Sequence, residues 1–388
     1  MKILFSSEEV VDVCNGKLYA INLGIHLERY RKFGEIVCVC YSRDVKETNN
    51  TELSHDGVEY VFTPKLNSLK SLIKYKNKHD CIIREQMKRN DIDMAILHVP
   101  SDNSTCVAKY ARLFNKPYMV VVVGCPWDSL WNYDWRGKLL APKACIGLRR
   151  IVYRAPYALY VTSKFLQKRY PCRGVTESAS DVSLPKIGNN VLTDRIDRIE
   201  KHTEGTPLNI VTVAAVDVSY KGQEYVIRAI SKLNSLGFKY HYYLVGGGDN
   251  TYLRNIALKT GTKDCMHFVG AIPHEDIPVF LDKMDIYIQP SKLEGLPRAL
   301  VEGMSRGLPS IGTRVGGIPE LLKDEYLVKA TSVGDIINIL STRMNKESML
   351  SQARMNFYKA AEFQKELLDG RRDAFISRFI KQYFERFQ

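Results

Sequence analysis

Apolar runs of four to six residues recur along the chain, separated by longer stretches with helical spacing. Ile3-Leu4-Phe5 opens as a strand. A loop with Asn15-Gly16 follows, then a helical pattern from about Leu18 to Phe33. Ile36–Cys40, Val58–Phe62, Met94–His98, Tyr118–Val123 and Ala158–Thr162 read as further strands, and the basic stretch Ser68–Asn90 reads as a helix. This β-α-β rhythm predicts an α/β fold whose parallel sheet is covered by helices on both faces. Polar residues dominate from about 188 to Pro207, and the alternation restarts at Leu208–Val213. Later runs end in glycine: Tyr242–Val245 into Gly246-Gly247-Gly248, and His267–Val269 into Gly270. The last segment keeps Phe375, Ile376, Phe379, Ile380, Tyr383, Phe384 and Phe387 at helical spacing. One face is too apolar for a free tail, so it is expected to pack on a domain.

One stretch stands out, Gln289 to Glu302. It leaves the apolar run Ile286-Tyr287-Ile288, turns through Gly295 and Pro297, and enters the helical pattern Ala299–Met304. A strand end followed by a turn and a helix start is where an open α/β sheet binds ligands. Free backbone N–H groups at such a helix start hold anions such as phosphate. Glu294 and Glu302 flank the start, eight residues apart, and so suit two hydroxyl-bearing parts of one ligand. A Glu pair on a surface helix is ordinarily solvated and without function. The Gly-Leu-Pro insert and a second turn from Thr313 to Pro319 favour the ligand reading.

A chain of 388 residues exceeds one ordinary core, which predicts two domains. It has no run of eighteen apolar residues, and its start lacks the long apolar region of a signal peptide. A cytoplasmic protein is expected. The nine cysteines are scattered without a C-x-x-C pair, which points to reduced thiols and away from a zinc site. Of the net charge of +13, +10 falls in residues 1–195. That excess suggests an anionic partner of the first half, either a membrane surface or a phosphorylated lipid. No nucleic-acid motif accompanies it, so no nucleic acid is expected. Within this half, Gly124–Trp131 follows an apolar strand. Trp127 beside Asp128 suits a sugar or lipid-phosphate acceptor as well as it suits a packed lid with a capping Asp. Lys138–Arg154 interleaves cations with apolar residues, as a membrane-facing helix or an ordinary charged helix surface would.

The second half resembles the nucleotide-sugar domain of glycosyltransferase family 4. The elements that carry the resemblance come in order: Lys221-Gly222; Leu244-Val245-Gly246-x-Gly248; Phe268-Val269-Gly270; Asp285 with Pro290-Ser291; Glu294 to Glu302; and Gly316-Gly317-Ile318-Pro319-Glu320. In the first half, Gly124–Asp128 and Tyr160–Gln167 resemble bacterial transferases that build capsule or O-antigen polysaccharide. The resemblance implies a GT-B fold, two Rossmann-like domains facing across a cleft with the C-terminal helix crossing back to the first domain. The expected divisions are 1–190 for an acceptor-side domain, 191–206 for a linker, 207–362 for the nucleotide-sugar domain, and 363–388 for the returning helical segment.

It also implies a metal-independent retaining transferase without a cofactor, moving sugar from a nucleoside-diphosphate sugar to a glycan or undecaprenyl-linked acceptor at the inner face of the plasma membrane. In that scheme Glu302 accepts the ribose hydroxyls, Glu294 supports the donor sugar, and Lys221 neutralises the diphosphate. Gly246, Gly248, Gly295, Leu296, Pro297 and Arg298 lie along the donor, and Pro297 has no N–H to give. Gly270 and Ala271 lie where the base sits. Gly16, Trp127 and Asp128 fall on the acceptor side, and His98 is the candidate for the first-domain histidine at the donor sugar. One departure matters. The family's diphosphate-gripping arginine, five residues before the lysine, is replaced by Val216; either Arg298 or Arg314 substitutes for it, or the phosphates rely on Lys221 and the helix start. The missing cation also motivates the alternative of a sugar-nucleotide-binding protein without turnover; another GT-B enzyme, such as an epimerase or phosphorylase, is a further alternative.

Overall fold

The structure is a computed structural model that describes residues 1–66, 68–131, 135–188 and 190–384. The chain divides into two compact units. Unit 1 comprises residues 1–161, 166–178 and 372–388; unit 2 comprises 162–165 and 179–371.

Among the described residues, unit 1 is built on nine strands: β1 (Lys2–Cys14), β2 (Lys17–Ala20), β3 (Glu35–Asp44), β4 (Thr51–Glu52), β5 (Val58–Thr63), β6 (Met94–Val99), β7 (Tyr118–Val122), β8 (Tyr157–Tyr160) and β9 (Val175–Ser178). The parallel strands lie in the order β5-β3-β1-β6-β7-β8-β9. Their apolar runs have no alternation because both faces are covered: Ile3, Leu4, Phe5, Met94–Leu97 and Met119, Val120 and Val122 are fully buried. Apart from Ala95, each such apolar side chain contributes roughly 1.5–3 kcal/mol by leaving water.

Three expectations are corrected here. First, β1 runs on to Cys14 past a register shift between Ser6 and Val10, and Asn15-Gly16 closes a tight antiparallel hairpin to β2. Their φ values of 49° and 77° are those of a two-residue hairpin turn. Asn15-Gly16 is therefore a hairpin tip, and the helix starts later, at Leu23–Arg31. Second, the residues expected as a linker, 191–206, begin as the helix Asn190–Glu200, an integral part of unit 2. Buried Arg195 anchors it by donating to the carbonyls of Arg306 (3.0 Å), Met284 (2.6 Å) and Leu281 (3.1 Å). Burial pulls the Arg195 guanidinium down to about 10. Third, the division between units falls after Ser178, not at 190.

Unit 2 holds β10 (Leu208–Val213), β11 (Tyr240–Val245), β12 (Met266–Gly270), β13 (Ile286–Gln289), β14 (Ser310–Thr313) and β15 (Leu327–Val328). All are parallel, in the order β12-β11-β10-β13-β14-β15. This is the doubly wound 3-2-1-4-5-6 order, in which the strand sequence reverses between β10 and β13. The helix Lys365–Phe384 begins in unit 2 and ends in unit 1. There Phe375 and Phe379 pack on Tyr157 at 5.4 and 5.0 Å between ring centres, and Tyr157 Oη donates to Gln382. Residues 385–388 of the segment 363–388, Phe387 included, lie outside the described residues.

Candidate functional site

The reversal between β10 and β13 opens a crevice at their carboxyl ends, and two loops meet there. After β10 the chain makes a short 3-10 turn, Ser219–Lys221; after β13 it passes through Pro290–Leu296 into the helix Arg298–Ser305. Their approach is backbone to backbone. Lys292 N–H donates to Tyr220 O at 2.7 Å, and a Cβ added at Gly222 would lie 2.2 Å from Pro290 O. Gly222 also has φ +74°, in the left-handed region that favours glycine.

That clasp delivers Lys221 to Glu294. The Lys221 Nζ donates to Glu294 Oε1 at 2.8 Å. The same oxygen accepts from Ser291 Oγ (2.8 Å) and Gln289 Nε2 (3.1 Å). Gln289 is oriented in turn by Tyr287 Oη, which donates to its Oε1 at 2.9 Å. Tyr287 is fully buried, and burial pushes its phenol well above the usual range, so it stays a neutral donor. Glu294 Oε2 takes no hydrogen bond among the described residues, leaving one oxygen of a rigidly held carboxylate for a ligand. From below, the loop is fixed by Gly317 N–H donating to Gly295 O at 2.6 Å and Thr313 Oγ1 donating to Ser291 O at 2.6 Å. A Cβ on Gly316 would meet Glu294 O at 1.9 Å. Glu320, at the end of that glycine turn, accepts from the backbone N–H groups of Ser163 (2.6 Å) and Lys164 (3.0 Å).

Glu302 sits one turn into the helix. Its Oε1 pairs with His274 Nε2 at 2.9 Å. Together they border a cavity of about 220 Å³ whose other walls include Pro185, Ile187, Pro278 and Leu281. His274 was missed from sequence, and Gln289 and Ser291 were named in the stretch without a role. The available signal was the polar Gln-x-Ser closing an otherwise apolar strand, and a histidine four residues past Gly270.

The cation inventory is specific. Arg314 is committed to Asp324, through the carboxylate at 2.6 Å and the carbonyl at 2.9 Å. Arg298, first in the helix, is exposed and has no ion pair or hydrogen bond among the described residues. Val216 is buried in the core of unit 2 and offers only an apolar side chain to that corner. Beside it a cavity of about 310 Å³ carries the carboxyl groups of Asp217, Glu224 and Asp249. This corner is thus more acidic than one bearing an arginine at 216.

The remaining positions divide. Gly246 (φ +154°) and Gly248 (φ +111°) press on the segment after β10: a Cβ there would fall 2.1 Å from Ala214 O and 2.4 Å from the Asp217 carboxyl group. Gly270 ends β12 and Ala271 follows it, with nothing within 4 Å of a Cβ on Gly270. Leu296 is half-buried and Pro297 buried as the residue before the helix.

In unit 1, Asp128 is ion-paired to Arg169 at 2.6 Å, and Trp127 stacks on Trp131 at 5.0 Å. His98 is a correction. It lies within β6, only 5% exposed, with its Nε2 at 2.9 Å from Tyr30 Oη and its ring edge-on to Phe5 at 4.8 Å. Its surroundings make it a core histidine, not a base poised for a ligand.

Residues 194–362 match the family described as glycosyl transferases group 1. Along nearly its whole length the chain is similar to protein CapJ of Staphylococcus aureus, 27% identical over 368 residues that cover 91% of this chain and 90% of that one. It is 36% identical over 124 residues, about 30% of each chain, to the amylovoran biosynthesis glycosyltransferase AmsK of Erwinia amylovora. Among solved structures, HepE of Anabaena in complex with UDP aligns at a TM-score of 0.66 and 15% identity, covering 97% of this chain and 100% of that one. A sucrose-phosphate synthase from Thermosynechococcus elongatus aligns at 0.67 and 14%, covering 98% and 100%.

Proposed function

We propose that this chain, a glycosyltransferase of GT-B fold with a group 1 domain in its second half, transfers a sugar from a nucleoside diphosphate to a growing bacterial surface polysaccharide, with retention and without a metal. The observation that carries the reading is the Lys221–Glu294 pair at the strand reversal, with Glu294 Oε2 free and Glu302 eight residues on. Lys221 and the N–H groups at the helix start supply positive charge where a departing diphosphate would gather negative charge. Arg298 adds the cation that Val216 lacks. Glu294 Oε2 accepts from a hydroxyl of the donor sugar and supports charge building at the anomeric carbon, and Glu302 releases His274 to take the ribose hydroxyls. The acceptor oxygen bonds to the anomeric carbon as its bond to phosphate breaks, and a phosphate oxygen takes the acceptor proton.

AmsK is named for amylovoran biosynthesis, which supports a surface-polysaccharide acceptor, and HepE in complex with UDP supports a nucleoside-diphosphate donor. We take the acceptor to be a glycan on an undecaprenyl-type carrier, which places the protein peripherally at the inner face of the plasma membrane. No helix among the described residues is long and apolar enough to cross a membrane.

The test is a panel of nucleoside-diphosphate sugars followed for slow hydrolysis and, with acceptor, for transfer. NMR of the product is expected to show the donor's anomeric configuration, and EDTA is expected to leave the rate unchanged. Binding without any turnover would instead establish the sugar-nucleotide-binding role.

A further inference from the structure

All three tryptophans of the chain, Trp127, Trp131 and Trp135, fall on one stretch of unit 1, the short helix Pro126–Trp131 and the start of the helix Trp135–Arg154. The longer helix turns Gly137, Ala141, Leu148, Ile151 and Val152 into the core. At about 100° per residue, Trp135, Leu139, Ile146 and Tyr153 line up within about 40° of one another on the opposite, solvent side. Their exposures of 67%, 71%, 51% and 38% put four large apolar side chains in water along one line. Cations border that line on both flanks, Lys143 and Arg150 on one and Lys138 and Arg149 on the other, all exposed and without an ion pair among the described residues. Residues 135–176 contain ten Lys/Arg and no Asp/Glu.

A solvated helix face would be polar where this one is apolar, and a face for a folded partner would carry acids as well as bases. An apolar line edged by unpaired cations and tryptophan complements a surface that is negative outside and hydrocarbon beneath. We propose that the helix Trp135–Arg154 docks flat on an anionic lipid bilayer, its apolar line in the acyl boundary and its cations at the headgroups. This deepens the lipid-carrier reading above and rests on it for its purpose, while the surface is argued from its own geometry. It gives unit 1 a fixed way to meet an acceptor whose lipid end never leaves the membrane.

The full-length protein is mixed with vesicles of phosphatidylglycerol and phosphatidylcholine, or of phosphatidylcholine alone. Because every tryptophan lies on or beside the patch, intrinsic emission reports docking directly. Expected are co-sedimentation with anionic vesicles that weakens with salt, a blue shift, and quenching by brominated acyl chains. Arg149→Gln with Arg150→Gln lowers partitioning about 25-fold, at roughly fivefold per cation. Leu139→Ser with Ile146→Ser, at solvent-facing positions, abolishes acyl-chain quenching without lowering Tm. Equal binding to phosphatidylcholine alone, no quenching by brominated chains, or salt-sensitive binding to nucleic acid but not vesicles would each overturn the proposal. Hydrolysis of soluble donor, measured alongside, separates the two readings: intact hydrolysis without docking refutes only the surface, and docking without hydrolysis refutes only the transferase reading.

Discussion

Replacing Gly222 with alanine perturbs the site without touching a ligand-facing group. The new methyl carbon would sit 2.2 Å from Pro290 O, whereas an ordinary contact begins at 3.4 Å. The turn must therefore retreat by about 1.2 Å or rotate off its φ of +74°. Pro290 has little room to yield instead, because it directly follows β13, which is paired on both sides by parallel neighbours. Lys221, next in chain, moves with the turn, and its 2.8 Å contact with Glu294 opens to about 4 Å. A 1 Å misplacement of a positioning group costs on the order of 100-fold in rate, equivalent to about 2.7 kcal/mol at the transition state. The left-handed conformation itself costs a non-glycine residue roughly 1–2 kcal/mol of stability. Gly205 supplies the control, with φ +88° and nothing within 4 Å of its added Cβ. Gly205→Ala should lose similar backbone stability and keep its activity. The assay is kcat and KM with the donor found by the sugar panel, beside Tm for both variants. If Gly222→Ala loses no more kcat/KM than Gly205→Ala, the argument that backbone contact positions Lys221 is wrong.

Arg298→Ala should raise the donor KM on the order of tenfold or more, as loss of a charge-assisted hydrogen bond of about 1.5–3 kcal/mol requires. Arg314→Ala should leave KM within twofold, because that guanidinium already serves Asp324; the reverse ranking in steady-state kinetics would refute the substitution of Arg298 for the missing arginine. Arg195→Ala should destabilise unit 2 by about 3 kcal/mol, because the Met284 and Arg306 carbonyls lose their guanidinium donor and the Leu281 carbonyl keeps only its backbone one, and urea unfolding with an unchanged midpoint would count against the helix 190–200 being integral. Glu294→Gln should cut kcat more than a hundredfold with a smaller change in donor affinity by calorimetry, whereas equal losses in both would place Glu294 in binding alone.

The chain's local pattern was enough for the elements of the site. Unbroken apolar runs meant strands covered on both faces, and glycines after them meant close turns. The stretch Gln289–Glu302 therefore forms the strand, turn and helix that its spacing requires. Local pattern was silent wherever a residue's fate depends on a partner far along the chain. Asn190–Glu200 looked like a polar linker because nothing nearby reveals that Arg195 will find three carbonyls near residues 281 to 306. His98 looked available because the tyrosine that takes its ring nitrogen lies 68 residues earlier. Arg298 and Arg314 were equal candidates until Asp324 engaged one of them. Helix and strand periods are short-range properties of the backbone, so sequence carries them. Burial, ion pairing and which oxygen of Glu294 stays open depend on which segments meet in space, and only the tertiary structure decides that.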